Sequence, residues 1–331
     1  IMKIKYKKIK WILPILLMAT VSYSQERDSL AISKQKRDSL KSKITRVSLR
    51  PTKAPLLGGI NLGGIITPME TDDDNFTVQQ YSLEIASPIY GSKKSKHPYF
   101  GKVSLKYEQM RLSENQIIDH IDFHNLRILF SHSIILPKRK ILTFIGSAGI
   151  GSDFKEGIKG EDIYFHTGVR MGWLNNKKFI YGVSLMYVNT YVGQFILPIP
   201  DFYWQIDERW SLNGLLPVKT SLDYTLSQSA SIGLAINLNT SNYRLHEEEN
   251  KDQFIQFFQY NGGLNYEKIV KERWKFSLFA GYTLMQRFQT FDNDKKVGIN
   301  DFKALQEEDR ANISYDKEKS PVFQFGFSYL F

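Results

Sequence analysis

From Leu56 to the C-terminus, apolar and polar residues alternate with a period of two. That is the period of a strand that shows a different environment to each face. Tyr81, Leu83 and Ile85 alternate with Gln80, Ser82 and Glu84, and Val103, Leu105 and Tyr107 with Lys102, Ser104, Lys106 and Glu108. Phe165, Val169, Met171 and Trp173 oppose His166, Gly168, Arg170 and Gly172. The pattern recurs through 126–134, 142–150, 181–187, 222–226, 232–238, 254–266 and 274–284. The last segment, 321–331, places Phe323, Phe325, Phe327, Tyr329 and Phe331 on one face and Gln324, Gly326 and Ser328 on the other. Five aromatics in register suit a strand with lipid outside and water inside. Lysines and glutamates at the alternate positions are costly in a dry core and cheap in a wet lumen. The pattern therefore predicts an all-β protein, a transmembrane antiparallel up-and-down β-barrel.

The connections give a topology. Counting back from Phe331, every second connection is short: 269–273, 227–229, 207–209, 174–178, 137–139 and 90–98. The alternate set, 288–320, 241–253, 152–162, 111–121 and 67–75, is generally longer. Short periplasmic turns and longer outer loops are the asymmetry of outer-membrane barrels. The count is fourteen strands. It falls to twelve if the hairpin of 201–206 and 210–216 does not span, since each arm is below the roughly 9–11 residues a tilted spanning strand needs. Trp173, Trp210 and Trp274 sit beside the short turns, where an interfacial aromatic girdle is expected.

The N-terminal part reads differently. Lys3, Lys5, Lys7, Lys8 and Lys10 precede an apolar stretch at 11–21, and Ser22 and Ser24 supply the small residues of a cleavage site. Residues 1–24 are expected to be a signal peptide cut near Ser24/Gln25, which implies export to the bacterial outer membrane. Residues 25–54 are charged and free of aromatics, with Leu40, Ile44 and Val47 at helical spacing. They read as a short, partly helical periplasmic spacer, and 55–331 as the barrel. There is no cysteine, so disulfides, thiol nucleophiles and cysteine metal sites are excluded. The formal charge is +10, with five of the lysines in the leader and no Lys/Arg cluster interleaved with aromatics, so nucleic acid is not an expected partner. Twenty-two Phe, 18 Tyr and 5 Trp coexist with a mean hydropathy of −0.32. A barrel reconciles the two, because only alternate residues meet lipid.

Several stretches carry a resemblance. The leader ending at Ser22, Tyr23, Ser24 and Gln25 is one, and the closing segment 323–331 is another. The third is a central set of Pro198, Pro200, Trp204, Trp210, Leu216, Pro217 and Tyr224. Over 56–331 the chain resembles an uncharacterised group of Bacteroidetes outer-membrane β-barrel proteins. The resemblance implies barrel architecture and no particular activity. The terminal strand is also similar to the signal read by the barrel-assembly machinery, carried by Phe327, Tyr329 and Phe331. That implies the assembly machinery and periplasmic chaperones as partners, with outer-membrane lipids and lipopolysaccharide as surroundings. Asp28, Ser29 and Leu30, and again Asp38, Ser39 and Leu40, resemble a bacterial O-glycosylation acceptor, with Ser29 and Ser39 as the modified residues.

Chemistry is sparse in the sequence. His120, Asp122 and His124 can share a strand face, yet no distant third ligand is identifiable, and no metal site is expected. Asp72, Asp73 and Asp74, and Glu247, Glu248 and Glu249, read as solvated loops. The run from Asp292 and Asp294 to Gly298 and Asp301 departs from a Ca²⁺ loop in its Gly position and lacks the closing Glu. No histidine is followed two residues later by serine, so nucleophile and base do not share a strand face. No catalytic, cofactor or metal residue is assigned and no enzyme is expected. The inward-facing candidates are Lys102, Lys106, Glu108, Arg127, Arg170, Glu267 and Lys275. Their mixed charge points to a small passive pore for small polar solutes. The alternative is a structural or interaction barrel of the envelope with a filled lumen. A hydrolase would require a Ser, a His and a carboxylate brought together by the fold.

Overall fold

A computed structural model describes residues 58–330, apart from 71–74, 93, 94, 96, 114–121, 156, 177, 247–252, 300–309 and 318. The leader, the spacer with Ser29 and Ser39, the acidic runs 72–74 and 247–249, and His120 and Phe331 lie outside the described residues. Fifteen strands follow one another: β1 Gly59–Glu70, β2 Asn75–Ser92, β3 Tyr99–Ser113, β4 Asp122–Leu136, β5 Lys140–Ser152, β6 Ile163–Leu174, β7 Phe179–Asn189 and β8 Gln194–Gln205. They continue as β9 Trp210–Leu215, β10 Lys219–Ser227, β11 Ala230–Arg244, β12 Gln253–Val270, β13 Trp274–Asp292, β14 Ile313–Lys317 and β15 Pro321–Leu330. From β1 to β13 each pairs antiparallel with the next, and β14 and β15 both pair with β13, so they occupy one place in the wall. The register Gly59↔Leu330 to Ile66↔Phe323 joins β15 to β1 and closes a fourteen-strand barrel.

Closure is what an apolar solvent demands, since an open edge leaves backbone N–H and C=O groups without partners. The outer surface is apolar at alternate positions. Leu62, Ile128, Leu185, Leu234, Leu264, Leu278 and Phe323 are exposed there, Leu234 at 60% and Phe323 at 59%. At the end that carries the short turns, Trp274 packs on Phe327 and Tyr329, Trp173 stacks on Tyr181, and Trp210 meets Tyr224 edge to face. Arg209 and Arg273 donate to the hydroxyls of Tyr224 and Tyr329 at 2.6 and 3.1 Å. This is the girdle expected at a membrane boundary. The turn between β8 and β9 is held by Asp207, whose carboxylate accepts the N–H groups of Arg209 and Trp210 at 2.7 Å each. Those bonds hold its pKa below the ordinary carboxylate value.

The hairpin that left the count open belongs to the wall: β8 has 12 residues and β9 has 6. Pro198 and Pro200 are tolerated because β9 pairs with β8 only from Asp201 onward, so the edge toward β9 is unpaired where Pro198 lacks its N–H. The opposite, loop end departs more from the sequence expectation. Much of what reads as outer loop is strand: Thr67–Glu70 lies in β1, Arg111–Ser113 in β3, Ser241–Arg244 in β11 and Phe288–Asp292 in β13. The connections at 190–193 and 216–218 are short. The wall is therefore uneven, low at β9 and β10 and tall at β2, β12 and β13, which have 18 to 19 residues.

The tall strands fill the mouth at the loop end. Residues 254–257 of β12 and 288–291 of β13 are buried on both faces. One face, Ile255, Phe257 and Phe288, packs on Met69, Phe76, Val78, Met110, Leu112 and Phe123 from β1 to β4. The other, Phe254 and Phe291, packs on Tyr164, Tyr191 and Val192 from the side of β6 to β8. The hairpin thus stands across the mouth as a septum. Gly263 and Gly281 face each other at its base, where a Cβ on Gly281 would lie 2.2 Å from Gly262 O and 2.7 Å from Gly263 Cα. A bulge beside them, between Tyr260 and Asn261, adds curvature. A Gly281→Val variant is expected to lose about 1–3 kcal/mol of stability through overpacking, by analogy with crowded cores. Gly146→Ala, with nothing within 4 Å of the added carbon, is expected to be near neutral. Urea unfolding of both variants in detergent checks this, and equal midpoints for the two would refute it.

Candidate functional site

Below the septum the lumen carries charge in local pairs. Lys106 meets Glu108 at 2.6 Å, and Lys275 meets Glu267 at 2.9 Å. Arg170 on β6 grips Asp201 on β8 through Nε and Nη2 at 2.7 and 2.5 Å, a bidentate fork. Arg127 sits opposite Lys106 in the β3–β4 register, and Lys102 opposite Ser131. Neither makes an ion pair among the described residues. The charges thus lie on the face opposite the exposed Leu105, Leu126 and Ile128. Asp201 opens the predicted arm 201–206, but its partner Arg170 lies two strands away, a contact that alternation within a strand does not show. Asp223 is also buried, bonded to Asn213 and Ser221 at 2.8 and 2.7 Å. Higher up, amides bridge the lumen: Gln80 of β2 donates to Ser241 of β11, and Gln259 of β12 to Thr67 of β1.

The densest polar cluster lies at the loop end. There β6–β10 have stopped, and β5 and β11, far apart around the ring, meet directly. Arg244 pairs in parallel with Ser152, and the Asp153 N–H donates to Arg244 O at 3.3 Å. Around this junction Ser152, Asp153, Asp162, Arg244 and His246 are all less than 9% exposed. Ser152 Oγ lies 2.8 Å from His246 Nδ1 and accepts the Phe154 N–H. Asp153 Oδ1 lies 3.2 Å from the same nitrogen, and Asp153 Oδ2 accepts the His246 N–H. His246 Nε2 faces Asp162 Oδ1 at 3.1 Å, an ion-pair distance whose angle falls short of a hydrogen bond. Asp162 is held by the Lys159 N–H at 2.7 Å, and its carbonyl accepts the Tyr191 hydroxyl. Burial raises the pKa of that hydroxyl, which keeps it a donor. Arg244 Nη2 contacts Glu161 at 2.5 Å, and its Nε points at Asp162 from 4.0 Å.

Chemically, serine against imidazole against carboxylate is the set of a nucleophile, its base and an orienting acid. Its surroundings are those of a tie. Ser152 is fully buried and its oxygen is already bonded three ways, while both imidazole nitrogens face acceptors. The sequence contained no hint of this cluster, because Ser152 and His246 are 94 residues apart and meet only through the β5–β11 contact. His124, singled out in the sequence, lies opposite Ser152 in the β4–β5 register but takes other partners. His124 bonds the Tyr107 hydroxyl and stacks on Phe154, His132 bonds Tyr90, and Asp122 is taken by Gln109 and Arg111. Among the described residues no group of His, Asp and Glu is arranged to hold a metal ion.

Beside the cluster a polar pocket of about 400 Å³ is lined by Glu161, Ile163, Asn189, Thr190, Tyr191, Arg244, Asn293 and Lys296. A second concavity, of about 410 Å³, is apolar and lies in the outer band between Leu264, Leu278 and Phe323, where lipid chains would pack.

Residues 69–329 match the model of a family described as a domain of unknown function, DUF6268. None of the curated proteins is a match. Among solved structures the chain is similar to the NanC porin, at 9% identity and a TM-score of 0.37 over 82% of this chain and 100% of that one. It is also similar to an outer membrane channel from Pseudomonas putida F1, at 7% and 0.42 over 84% and 97%. A third is the translocator domain of the autotransporter NalP from Neisseria meningitidis, at 8% and 0.32 over 90% and 96%. These likenesses carry no reading of what this chain does.

The buried tie leads to a stability prediction. His246→Ala empties the space between two buried carboxylates and removes a buried hydrogen-bonding ring, and is expected to cost about 2–5 kcal/mol. Ser152→Ala removes one neutral hydroxyl and is expected to cost about 1–2 kcal/mol. Denaturant midpoints of the two variants test the order, and a His246→Ala protein as stable as the parent would contradict it.

Proposed function

Because the chain belongs to the DUF6268 family, whose description names no activity, we propose its role from geometry: an outer-membrane structural or interaction barrel whose lumen is shut to solutes at the loop end. One observation carries this reading. The β12–β13 septum, packed on both faces and flanked by the β5–β11 junction, occupies the mouth of the barrel. The apolar outer band and the aromatic girdle support placement in a bilayer, with the short turns toward the periplasm. Phe327 and Tyr329, together with Phe331, are then the contact for the assembly machinery. Phe327 and Tyr329 pack with Trp274 in that girdle.

A second reading has an observation of its own. The charged face of Lys102, Lys106, Glu108, Arg127, Arg170, Glu267 and Lys275 suits a wet lumen, as a passage for small polar solutes would need. In that reading the septum is a gate and the Ser152–His246–Asp162 tie its latch. Planar-bilayer recording separates the two. The parent protein is expected to give no steady conductance, and long-lived open steps would overturn the closed-barrel reading. A silent His246→Ala variant supports the structural role, whereas a conducting one supports the gate.

The tie is read as structural and not as a hydrolytic site. A fluorophosphonate probe is therefore expected to leave Ser152 unlabelled in the folded barrel. Labelling that disappears in Ser152→Ala would reverse that assignment.

A further inference from the structure

The pocket beside the tie has a distinct electrostatic arrangement. Arg244 is nearly buried, with a side-chain exposure of 6%, and is fixed by its place at the β5–β11 junction. With the Asn293 amide turned so that its oxygen faces the guanidinium, Asn293 accepts from Nη1 and Nη2 at 3.1 and 2.9 Å. The remaining partner of the guanidinium in the pocket is Glu161, whose side chain is 67% exposed. A solvated carboxylate on a flexible stem is a weakly held partner, because exposed ion pairs contribute little. Lys296 reaches the same pocket and makes no ion pair among the described residues. Partial burial and the nearby Arg244 lower its pKa, and Glu161 offsets this only in part. The pocket itself thus holds one exposed carboxylate beside two cations, Arg244 and Lys296.

We propose that this pocket is an anion site that takes a phosphate group between Arg244 and Lys296, with Glu161 as the internal placeholder the ligand displaces. A phosphate oxygen suits a guanidinium held in a fixed orientation, and an ammonium on a flexible stem can follow the same group. Asn189, Thr190 and Asn293 supply neutral polar atoms around it. Ile163 and Asn189 lie on the outward face of β6 and β7, with Ile163 54% exposed, so the pocket opens beside the lipid surface just beyond the apolar band. The phosphate can thus come from a lipid headgroup or from a free phosphorylated solute. The inference stands whether the lumen conducts or not, and its test does not read conductance.

Binding of inorganic phosphate to the detergent-solubilised full chain is measured by calorimetry, with the parent, Lys296→Gln and Glu161→Gln compared. Neither substituted side chain is part of the core, so both variants are expected to fold. Lys296→Gln is expected to weaken binding roughly ten- to a hundredfold, the loss of one charge-assisted contact. Glu161→Gln is expected to strengthen it several-fold, because the placeholder no longer competes. A structural ion pair would not give that gain. A parallel arm places the protein in nanodiscs with or without phosphatidic acid. A rise in thermal midpoint with the lipid, lost in Lys296→Gln, assigns the group to a headgroup, and binding of free phosphate alone assigns it to a solute. No binding in either arm, or variants indistinguishable from the parent, overturns the proposal.

Discussion

Backbone hydrogen bonding in a solvent that offers none is the constraint on which the rest of this structure depends. A strand in lipid must give its N–H and C=O groups to neighbouring strands on both sides, and only a closed ring does so for all of them. The pairing of Gly59–Ile66 with Phe323–Leu330 supplies the closure. The same accounting shapes the mouth. Strand β10 stops at Lys219, so the edge of β11 beyond Asn237 has lost its neighbour. Leu238 donates to Val218 O, and at the tip Arg244 finds Ser152 and Asp153 of the far wall. A ring that could have been an open tube is drawn together where five of its strands end.

Once the walls meet, the chemistry inside divides. At the loop end the inward residues are Met, Phe, Leu and Val, and they form a dry core packed on the septum. Deeper in, Lys106, Arg170 and Lys275 each meet a carboxylate on their own part of the wall, while Lys102 and Arg127 make no ion pair among the described residues. Between the two zones lies a layer of amides that touch across the space, Gln80 with Ser241 and Gln259 with Thr67. Such a layer satisfies polar atoms where water is scarce and holds the base of the septum in register.

Period-two alternation made the wall legible: Leu105 and Tyr107 against Lys106 and Glu108 assign faces without any knowledge of the partner strands. Loop length was legible at the turn end, where connections such as 137–139 are dictated by local sequence, and less so at the loop end. Thr67–Glu70 and Phe288–Asp292 read as loop because alternation fades there. It fades for a physical reason: once a hairpin leaves the wall and is buried on both faces, nothing requires its two sides to differ. The Arg170–Asp201 and Ser152–His246 contacts escaped notice because they join segments 31 and 94 residues apart.

Local sequence was enough for the all-β class, the alternation of exposed apolar and polar faces, and the even count, since these follow from which residues can bear lipid or water. Tertiary structure alone decided that the mouth is filled, that Ser152, His246 and two aspartates become one buried tie, and that Arg244, Glu161 and Lys296 share a pocket. Those outcomes depend on strand lengths that differ around the ring. Only when the tall strands lean across the short ones do residues from opposite walls come within reach.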